Sequence, residues 1–396
     1  MLCLISLFDQ SNSPACFMRI CMLSSVHFAF DARIFQKEAR SLAQAGFEVT
    51  IIAREDPTSQ KADKVRVLPL PKPKNRLRRM LGTLQVGLLA LRQRADLYAF
   101  HDPELIPVGI LLKLFTRSRV VYDIHEIVPQ QILTKEWLPR PLRVLALKLY
   151  QLVENLTLPL LDGLVLVVPG QLKYYPNYRT QTVMNFPLLN YASLQNGQEK
   201  ESPGRPTLIY AGSIRKIRGL YEMLELVRRL KGSHPDILLR LVGPIVPAGE
   251  EDKVQNLIAA YEMDENVELL GRVSHPEVHR QIARADLGLA LIHPDPTYYD
   301  ALFTKAFEYM MMSKPVIVSD IPLWQEIIRE NRCGLAVDPL NPEAVEAAVV
   351  QLLEDKELRR ERGLRGREAV LSKYNWDVEG EKLVQFFQAL IRGEKD

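Results

Sequence analysis

The sequence predicts an α/β protein made of two doubly wound, Rossmann-like domains facing a cleft, and three observations carry that expectation. Strand and helix signals alternate from Met18 to the C-terminus, the pattern of a parallel sheet covered by helices on both faces. At 396 residues the chain exceeds the roughly 250–300 residues over which one core grows. The alternation lapses once, over residues 188–206, where "LLNYASLQNGQEKESPGRP" is polar and rich in turn formers and reads as a linker. The expected layout is a first domain over 18–187, the linker, a second domain over 207–375 and a terminal helix over 376–396.

The elements follow in order. The leader "MLCLISLFDQSNSPACF" has an apolar stretch but neither a basic start nor a small-residue cleavage signal, so Met18 is the expected biological start. "RICMLSS" is a strand, Asp31 the N-cap of the helix "ARIFQKEARSLAQAG", Gly46 its stop, and "EVTIIA" the next strand. Further strands are expected at 97–100, 120–122, 163–168 and 182–184. After the linker come strand "TLIYAGS", helix "GLYEMLELVRRLKG", strand "LLRLVG", a helix over 254–261, strand "VELLGR", a helix over 277–285 and strand "LGLALI". A helix over 303–312 then precedes the strand "PVIVSD", which lacks alternation and so reads as fully buried, and terminal helices close the chain.

Bulk properties narrow the function. A hydrophobic content of 47% with 25% charged residues is ordinary globular composition and excludes wholesale disorder. The four cysteines form no CxxC or Cys/His cluster, which fits a reducing compartment and argues against zinc. No apolar run reaches the roughly 18 residues of a membrane span. The net charge of +3 hides an asymmetry: residues 18–190 hold 24 Lys+Arg against 14 Asp+Glu, residues 191–396 hold 27 against 33. The basic excess centres on "PKPKNRLRRMLGTLQVGLLALRQR", with Lys72, Lys74, Arg76, Arg78 and Arg79 ahead of a helix-like apolar segment. That pattern suits an anionic membrane surface, or a solvated helix whose apolar side is core. Without interleaved aromatic residues it speaks against nucleic acid.

The chemistry-bearing residues cluster at strand–helix turns. "SSVHFAFDAR" and "AGSIRKIRGL" lack GxGxxG, which removes a dinucleotide fingerprint and with it hydride transfer. In the second turn Arg215, Lys216 and Arg218 stand between a strand end and a helix, where cations and free amides can hold a diphosphate, or they are surface loop residues. In "FTKAFEYMMMSKPVIVSD", Thr304 and Glu308 share one helix face beside Lys305, apart from the apolar face of Phe303, Ala306, Phe307, Met310 and Met311. That polar strip reads as a nucleotide site or as a solvated face. His125 follows a buried strand and is expected to project from its carboxyl edge into the cleft, or to be a hydrogen-bonded histidine with Glu126 as a structural partner. His101 and Asp102 resemble metal ligands without an evident third, and Asp102 is expected to cap the helix that follows. His27, Asp31 and Arg33 occupy the first turn, where an acceptor could approach, although capping alone accounts for Asp31.

Several ordered motifs resemble family 4 retaining glycosyltransferases of the GT-B architecture, of the bacterial cell-envelope or exopolysaccharide type. The second half is similar to their donor domain through "YAGSIRKIRGL", "LVG", "VELLGRVSHPEVHRQIARADLGLALI", "FTKAFEYMMMSKPVIVSD" and "CGLAVDP"; the first through "FDARIFQKEARSLAQAGFEV", "FHDPELIPVGILLK" and "VVYDIHE". The resemblance implies a nucleotide-diphosphate-sugar donor, an acceptor hydroxyl, retained configuration, no metal, and a C-terminal helix that crosses back to the first domain. It implies that Glu308 takes the ribose hydroxyls and that the amides of Phe303 and Thr304, at the helix opening, bind the diphosphate. Arg218 and Lys305 would neutralise charge beside the turn of Gly212 and Ser213. His125 would lie at the reacting sugar, with His27, Asp31, Arg33 and His101 on the acceptor side. Two departures stand out: Asp300 occupies the place of the family's earlier acid, with a shorter side chain, and Ser213 that of a usual basic residue. A lipid-linked acceptor and a cytoplasmic location, peripheral on the inner face of the membrane, are the implied setting. A non-catalytic partner subunit and a nucleotide-sugar epimerase are the rival readings on this architecture.

Overall fold

The computed structural model describes residues 18–56, 64–71, 76–125, 127–133, 139–190, 204–295, 298 and 302–394, excepting the side chains of 76–81, 130 and 131. Asp300, Lys72, Lys74, Glu126 and the leader lie outside these residues, as do the side chains of Arg76, Arg78 and Arg79. The chain divides into two compact units, Met1–Pro129 with Trp137–Val165 and Val384–Asp396, and Gln130–Glu136 with Leu166–Leu383.

The first sheet contains β1 (Arg19–Phe28), β2 (Glu48–Arg54), β3 (Val65–Leu70), β4 (Leu97–Phe100), β5 (Arg119–Ile124), β6 (Gly163–Leu166) and β7 (Thr180–Thr182), in the order β3-β2-β1-β4-β5-β6-β7. The pairs β1–β2, β2–β3, β1–β4 and β4–β5 are parallel. A π-helix (Ile34–Ala39) leads into α1 (Arg40–Gln44); α2 (Arg76–Gln93), α3 (Ile106–Phe115), α4 (Val128–Leu133) and α5 (Arg140–Thr157) follow. The steps β1 to β2 and β2 to β3 run one way across the sheet, and β3 to β4, β4 to β5 and β5 to β6 run the other. Right-handed crossovers therefore put α2, α3 and α5 side by side on one face and the π-helix with α1 on the opposite face. Near the centre Phe100 and Tyr122 stack at 4.6 Å, both buried.

Local sequence accounts for most elements and for the departures. The strand β3 is absent from the sequence reading because Pro69 breaks its pattern, and a proline is tolerated here because β3 is an edge strand. The strand expected at 163–168 stops at Leu166: Pro169 opens a 3₁₀ turn, and Gln171 Oε1 accepts from the amides of Val167 and Val168 at 2.7 and 3.2 Å. The strand expected at 182–184 lies at Thr180–Thr182 instead.

The second sheet runs β10-β9-β8-β11-β12-β13, from β8 (Thr207–Ala211), β9 (Leu238–Val242), β10 (Val267–Gly271), β11 (Leu287–Ala290), β12 (Val316–Ser319) and β13 (Gly334–Val337). The pairs β9–β10, β8–β9, β8–β11, β11–β12 and β12–β13 are parallel. Around it lie α6 (Leu220–Leu230), α7 (Glu250–Ala260), α8 (His275–Ala283), α9 (Thr304–Met311), α10 (Pro322–Asn331), α11 (Pro342–Glu354) and α12 (Lys356–Ser372). β8, β11 and β12 are buried along their full length, as their unbroken apolar runs require. The C-terminal helix α13 (Trp376–Arg392) is shared: residues to Leu383 group with the second unit and residues from Val384 with the first.

Candidate functional site

In the first unit the polar groups gather where β1, β4 and β5 end. β1 carries Ser24 and Ser25 just past Leu23, where its pairing with β4 stops, β4 is followed by His101 and Asp102, and β5 carries Asp123 just ahead of His125. Parallel strands expose their carboxyl ends together, so residues about 24, 78 and 100 positions apart in sequence become neighbours. Asp102 does not cap the helix that follows, contrary to the expectation for it. Its Oδ2 accepts from Ser24 Oγ at 2.8 Å, from the Ser25 amide at 2.7 Å and from the Val26 amide at 3.2 Å. Ser24, Ser25 and Val26 of β1 supply these donors, and a buried carboxylate takes them.

Asp123 is the hub of a second group, buried except for the half-buried His125. His101 Nδ1 and His125 Nε2 each stand 3.3 Å from its Oδ2, and Arg33 Nη2 stands 3.5 Å from the same oxygen. Arg33 Nε lies 2.8 Å from Glu38 Oε1. The π-helix produces that contact, because its amides bond five residues back, as Glu38 N does to Arg33 O at 3.0 Å, and so residues five apart are stacked. In an α-helix the same two side chains would diverge.

The charges follow from this packing. Burial would raise Asp123, but Arg33, His125 and His101 hold it well below the usual carboxylate range. Glu38 goes the other way, raised by burial and by the Asp123 charge. Burial lowers His101, leaving it neutral, whereas burial of Arg33 is outweighed by Asp123 and Glu38. At the mouth, Asp31 accepts from the amides of Arg33 and Ile34 at 2.8 and 3.1 Å, as its expected capping role requires, and lies 3.5 Å from His27 Nδ1. That hydrogen bond raises His27; burial alone would raise Asp31, but His27 and the two amides bring it down.

Glu38, His101, Asp123 and His125 each bring a ligand atom within 4.8 Å of the others, so the sequence expectation that no third ligand joins His101 was wrong. The guanidinium of Arg33 already occupies the carboxylates of this set. A divalent ion there would stand against a buried cation whose charge Asp123 and Glu38 already balance.

In the second unit the turn after β8 and the start of α9 come together. Gly212 and Ser213 follow β8, and Arg218 Nη1 reaches back to Ser213 Oγ at 3.2 Å, where Tyr210 Oη also donates to Ser213 O at 3.0 Å. Gly219 opens α6 at φ +81°, and a Cβ there would meet Leu291 O at 2.3 Å, so only glycine fits. The Ala211 amide donates to Tyr309 Oη at 2.8 Å, which fixes α9 against the end of β8.

Phe303 holds the N-cap position of α9, buried and stacked on Trp324 at 5.4 Å, and no side chain caps the first turn. The opening amides of such a helix lack intrahelical acceptors. One turn in, Glu308 is buried, with both oxygens 3.1 Å from Lys305 Nζ and Oε2 3.7 Å from His279 Nε2. Burial would raise Glu308, but Lys305 and His279 keep it lowered and ionised. The solvated-face alternative for Glu308 is therefore removed, while Thr304 and Lys305 remain half-buried. His27, Asp31, Arg33, His101 and His125 thus converge in the first unit, while in the second Gly212, Ser213 and Arg218 form one group after β8 and Phe303, Thr304, Lys305 and Glu308 another at the start of α9, the two segments tied by the Ala211–Tyr309 hydrogen bond. Asp300 lies outside the described residues.

Sequence reasoning passed over Glu38, Asp123 and His279. Asp123 sits inside the quoted "YDIHE" and Glu38 inside "RIFQKE", five residues after Arg33; that spacing was the available signal, and it acquires meaning only in a π-turn. His279 on α8 left no signal in its own segment.

Comparison with known proteins agrees with this geometry. Residues 194–369 match the family described as glycosyl transferases group 1, and residues 32–179 match the glycosyl transferase 4-like domain. Among curated relatives, a glycogen synthase of Mycobacterium tuberculosis is 22% identical over 192 residues, 48% of this chain and 44% of that protein. The chain spans about half the length of the curated relatives it matches first. Among solved structures, a sucrose-phosphate synthase from Thermosynechococcus elongatus superposes with a TM-score of 0.72 at 19% identity, covering 95% of this chain and 100% of the other. HepE of Anabaena, solved in complex with UDP, does so with a TM-score of 0.69 at 12% identity, covering 94% and 100%. At these identities the structures establish the fold, which is GT-B, and the two family matches together take in most of both halves. The two halves of the chain are thus similar, domain by domain, to the glycosyl transferase 4-like and the group 1 glycosyltransferase families, on a shared GT-B fold.

Proposed function

We propose that the protein moves a sugar, with retained anomeric configuration, from a nucleotide-diphosphate-sugar to a hydroxyl of a lipid-linked glycan or glycolipid in envelope polysaccharide assembly, at the inner face of the cell membrane. The observation that carries this reading is Glu308: a buried, ionised carboxylate one turn below an uncapped helix start, held by Lys305 and His279. A carboxylate has about four lone-pair sites, so Glu308 can keep Lys305 and still accept from both ribose hydroxyls. In this reading the amides of Phe303 and Thr304 and the Arg218 guanidinium bind the diphosphate. HepE, which shares the fold, was solved with UDP and also with UDP-glucose.

In the proposed reaction the bond between the anomeric carbon and the β-phosphate oxygen breaks as the acceptor oxygen forms its bond on the same face. The acceptor proton passes to the departing phosphate. Arg218 and Lys305 stabilise the charge that develops on that phosphate. His125, held by Asp123, contacts the reacting sugar or the acceptor, and Asp300 is assigned to the sugar hydroxyls. No metal is required, because fixed cations serve the diphosphate and Arg33 serves the carboxylates of the first unit.

The test is thermal stabilisation of the purified chain by UDP, GDP, ADP and dTDP, each with and without EDTA. Stabilisation by one diphosphate, insensitive to EDTA, is the expected result and identifies the base. Stabilisation by none overturns the donor site in favour of a non-catalytic subunit, and sensitivity to EDTA overturns the metal-free reading. Product formation in the absence of acceptor would identify an epimerase instead.

A further inference from the structure

The helix α5 is built inside out. Leu142, Leu145, Leu149, Leu152, Val153 and Leu156 are between 43% and 66% exposed, and at 3.6 residues per turn they fall within an arc of about 100°. The side that meets the body of the domain is a different one, made of Arg143, Leu147, Tyr150, Glu154 and Thr157, with Glu154 buried and accepting from Tyr150 Oη at 3.2 Å. An ordinary surface helix buries its apolar stripe; this one turns it to solvent.

The neighbouring helices continue the surface. α2, α3 and α5 share one face of the first sheet, and Leu84 and Leu88 of α2 and Leu114 and Phe115 of α3 are all exposed. Across the three helices the sequence places Arg76, Arg78, Arg79, Arg92, Arg140 and Lys148, besides Arg143 on the inner side of α5 and Lys113, which pairs with Asp162 at 2.6 Å, against the single helix acid Glu154, which is buried. A broad apolar surface set in excess positive charge matches an anionic bilayer, where aliphatic side chains enter the headgroup boundary and lysine and arginine meet lipid phosphates. A second copy of the chain would face this surface with the same sign of charge.

We propose that the outer leucine face of α5, extended by α2 and α3, docks the protein on an anionic phospholipid surface. The membrane contact expected from residues 72–79 thereby shifts to a second helix, 61 or more positions further along the chain. The inference does not depend on sugar transfer, and its readout needs no activity.

The test is co-sedimentation of the full chain with phosphatidylcholine vesicles made with and without phosphatidylglycerol. The wild-type protein is expected to sediment with the anionic vesicles. The variant L145S/L149S/L152S is expected to lose at least about tenfold in partitioning, with its thermal midpoint unchanged because these side chains are already solvated. R140Q/K148Q, which keeps every leucine, is expected to lose the preference for anionic over neutral vesicles. Wild-type protein that ignores anionic vesicles, or a leucine variant that binds them as well as wild type, overturns the proposal. A wild-type dimer that the leucine variant dissociates, without vesicle binding in either, also overturns it and makes a second copy the occupant.

Discussion

Lys305 Nζ stands 3.1 Å from each carboxylate oxygen of Glu308, three residues on and within the first turns of α9. The lysine keeps charged a side chain that burial alone would neutralise, and a charged acceptor is what a pair of ribose hydroxyls needs.

The first prediction follows from that pair. Glu308→Gln keeps the volume of the side chain and removes its charge. Charge-assisted hydrogen bonds contribute about 1.5–3 kcal/mol, so nucleoside diphosphate affinity should fall about 10- to 100-fold. Titration calorimetry on the diphosphate that stabilises the wild-type chain measures it; unchanged affinity would take Glu308 out of the site.

Arg33→Met should cost the first unit about 3–5 kcal/mol in urea unfolding, because it strands two carboxylates whose only buried guanidinium partner among the described residues is Arg33. Adding Glu38→Gln should restore part of that loss. If the single variant unfolds at the wild-type midpoint, the ion group carries no net weight in the fold.

His27 gives a dependence on pH with a definite sign. Its folded-state value is raised above the ordinary 6.5, chiefly by the hydrogen bond to Asp31. The contribution is therefore fully present below the unfolded value and is lost as pH rises through the folded one. The stability gap between wild type and His27→Gln should narrow from about pH 6 to about pH 9. A gap that widens over that range contradicts the assignment.

Gly219→Ala tests the turn that carries Arg218. The residue has φ +81°, and its new methyl group would meet Leu291 O at 2.3 Å. A loss of about 2 kcal/mol or more is expected in thermal unfolding. An unperturbed midpoint would mean that the α6 entry relaxes freely.

Much of the layout was legible because it rests on short-range signals. Unbroken apolar runs gave β8, β11 and β12, and the polar strip of Thr304, Lys305 and Glu308 was visible as a helix face before its burial was known. The edge strand β3 was not, since Pro69 speaks against a strand until the neighbours show it lies at an edge. Asp102 was read as a helix cap because its true donors, Ser24 and Ser25, belong to a strand almost eighty residues earlier.

The sequence by itself determined the two alternating halves, the absence of a dinucleotide fingerprint, the polar strip of Thr304, Lys305 and Glu308 and the uneven charge, all properties of composition and periodicity. Tertiary structure alone decided that Arg33 and Glu38 stack across a π-turn, that Asp123 joins two histidines, and that α5 turns its leucines outward. Each of these depends on which side chains a crossover or an unusual helical turn brings within a few ångströms, and the charge a buried group carries is set by those neighbours.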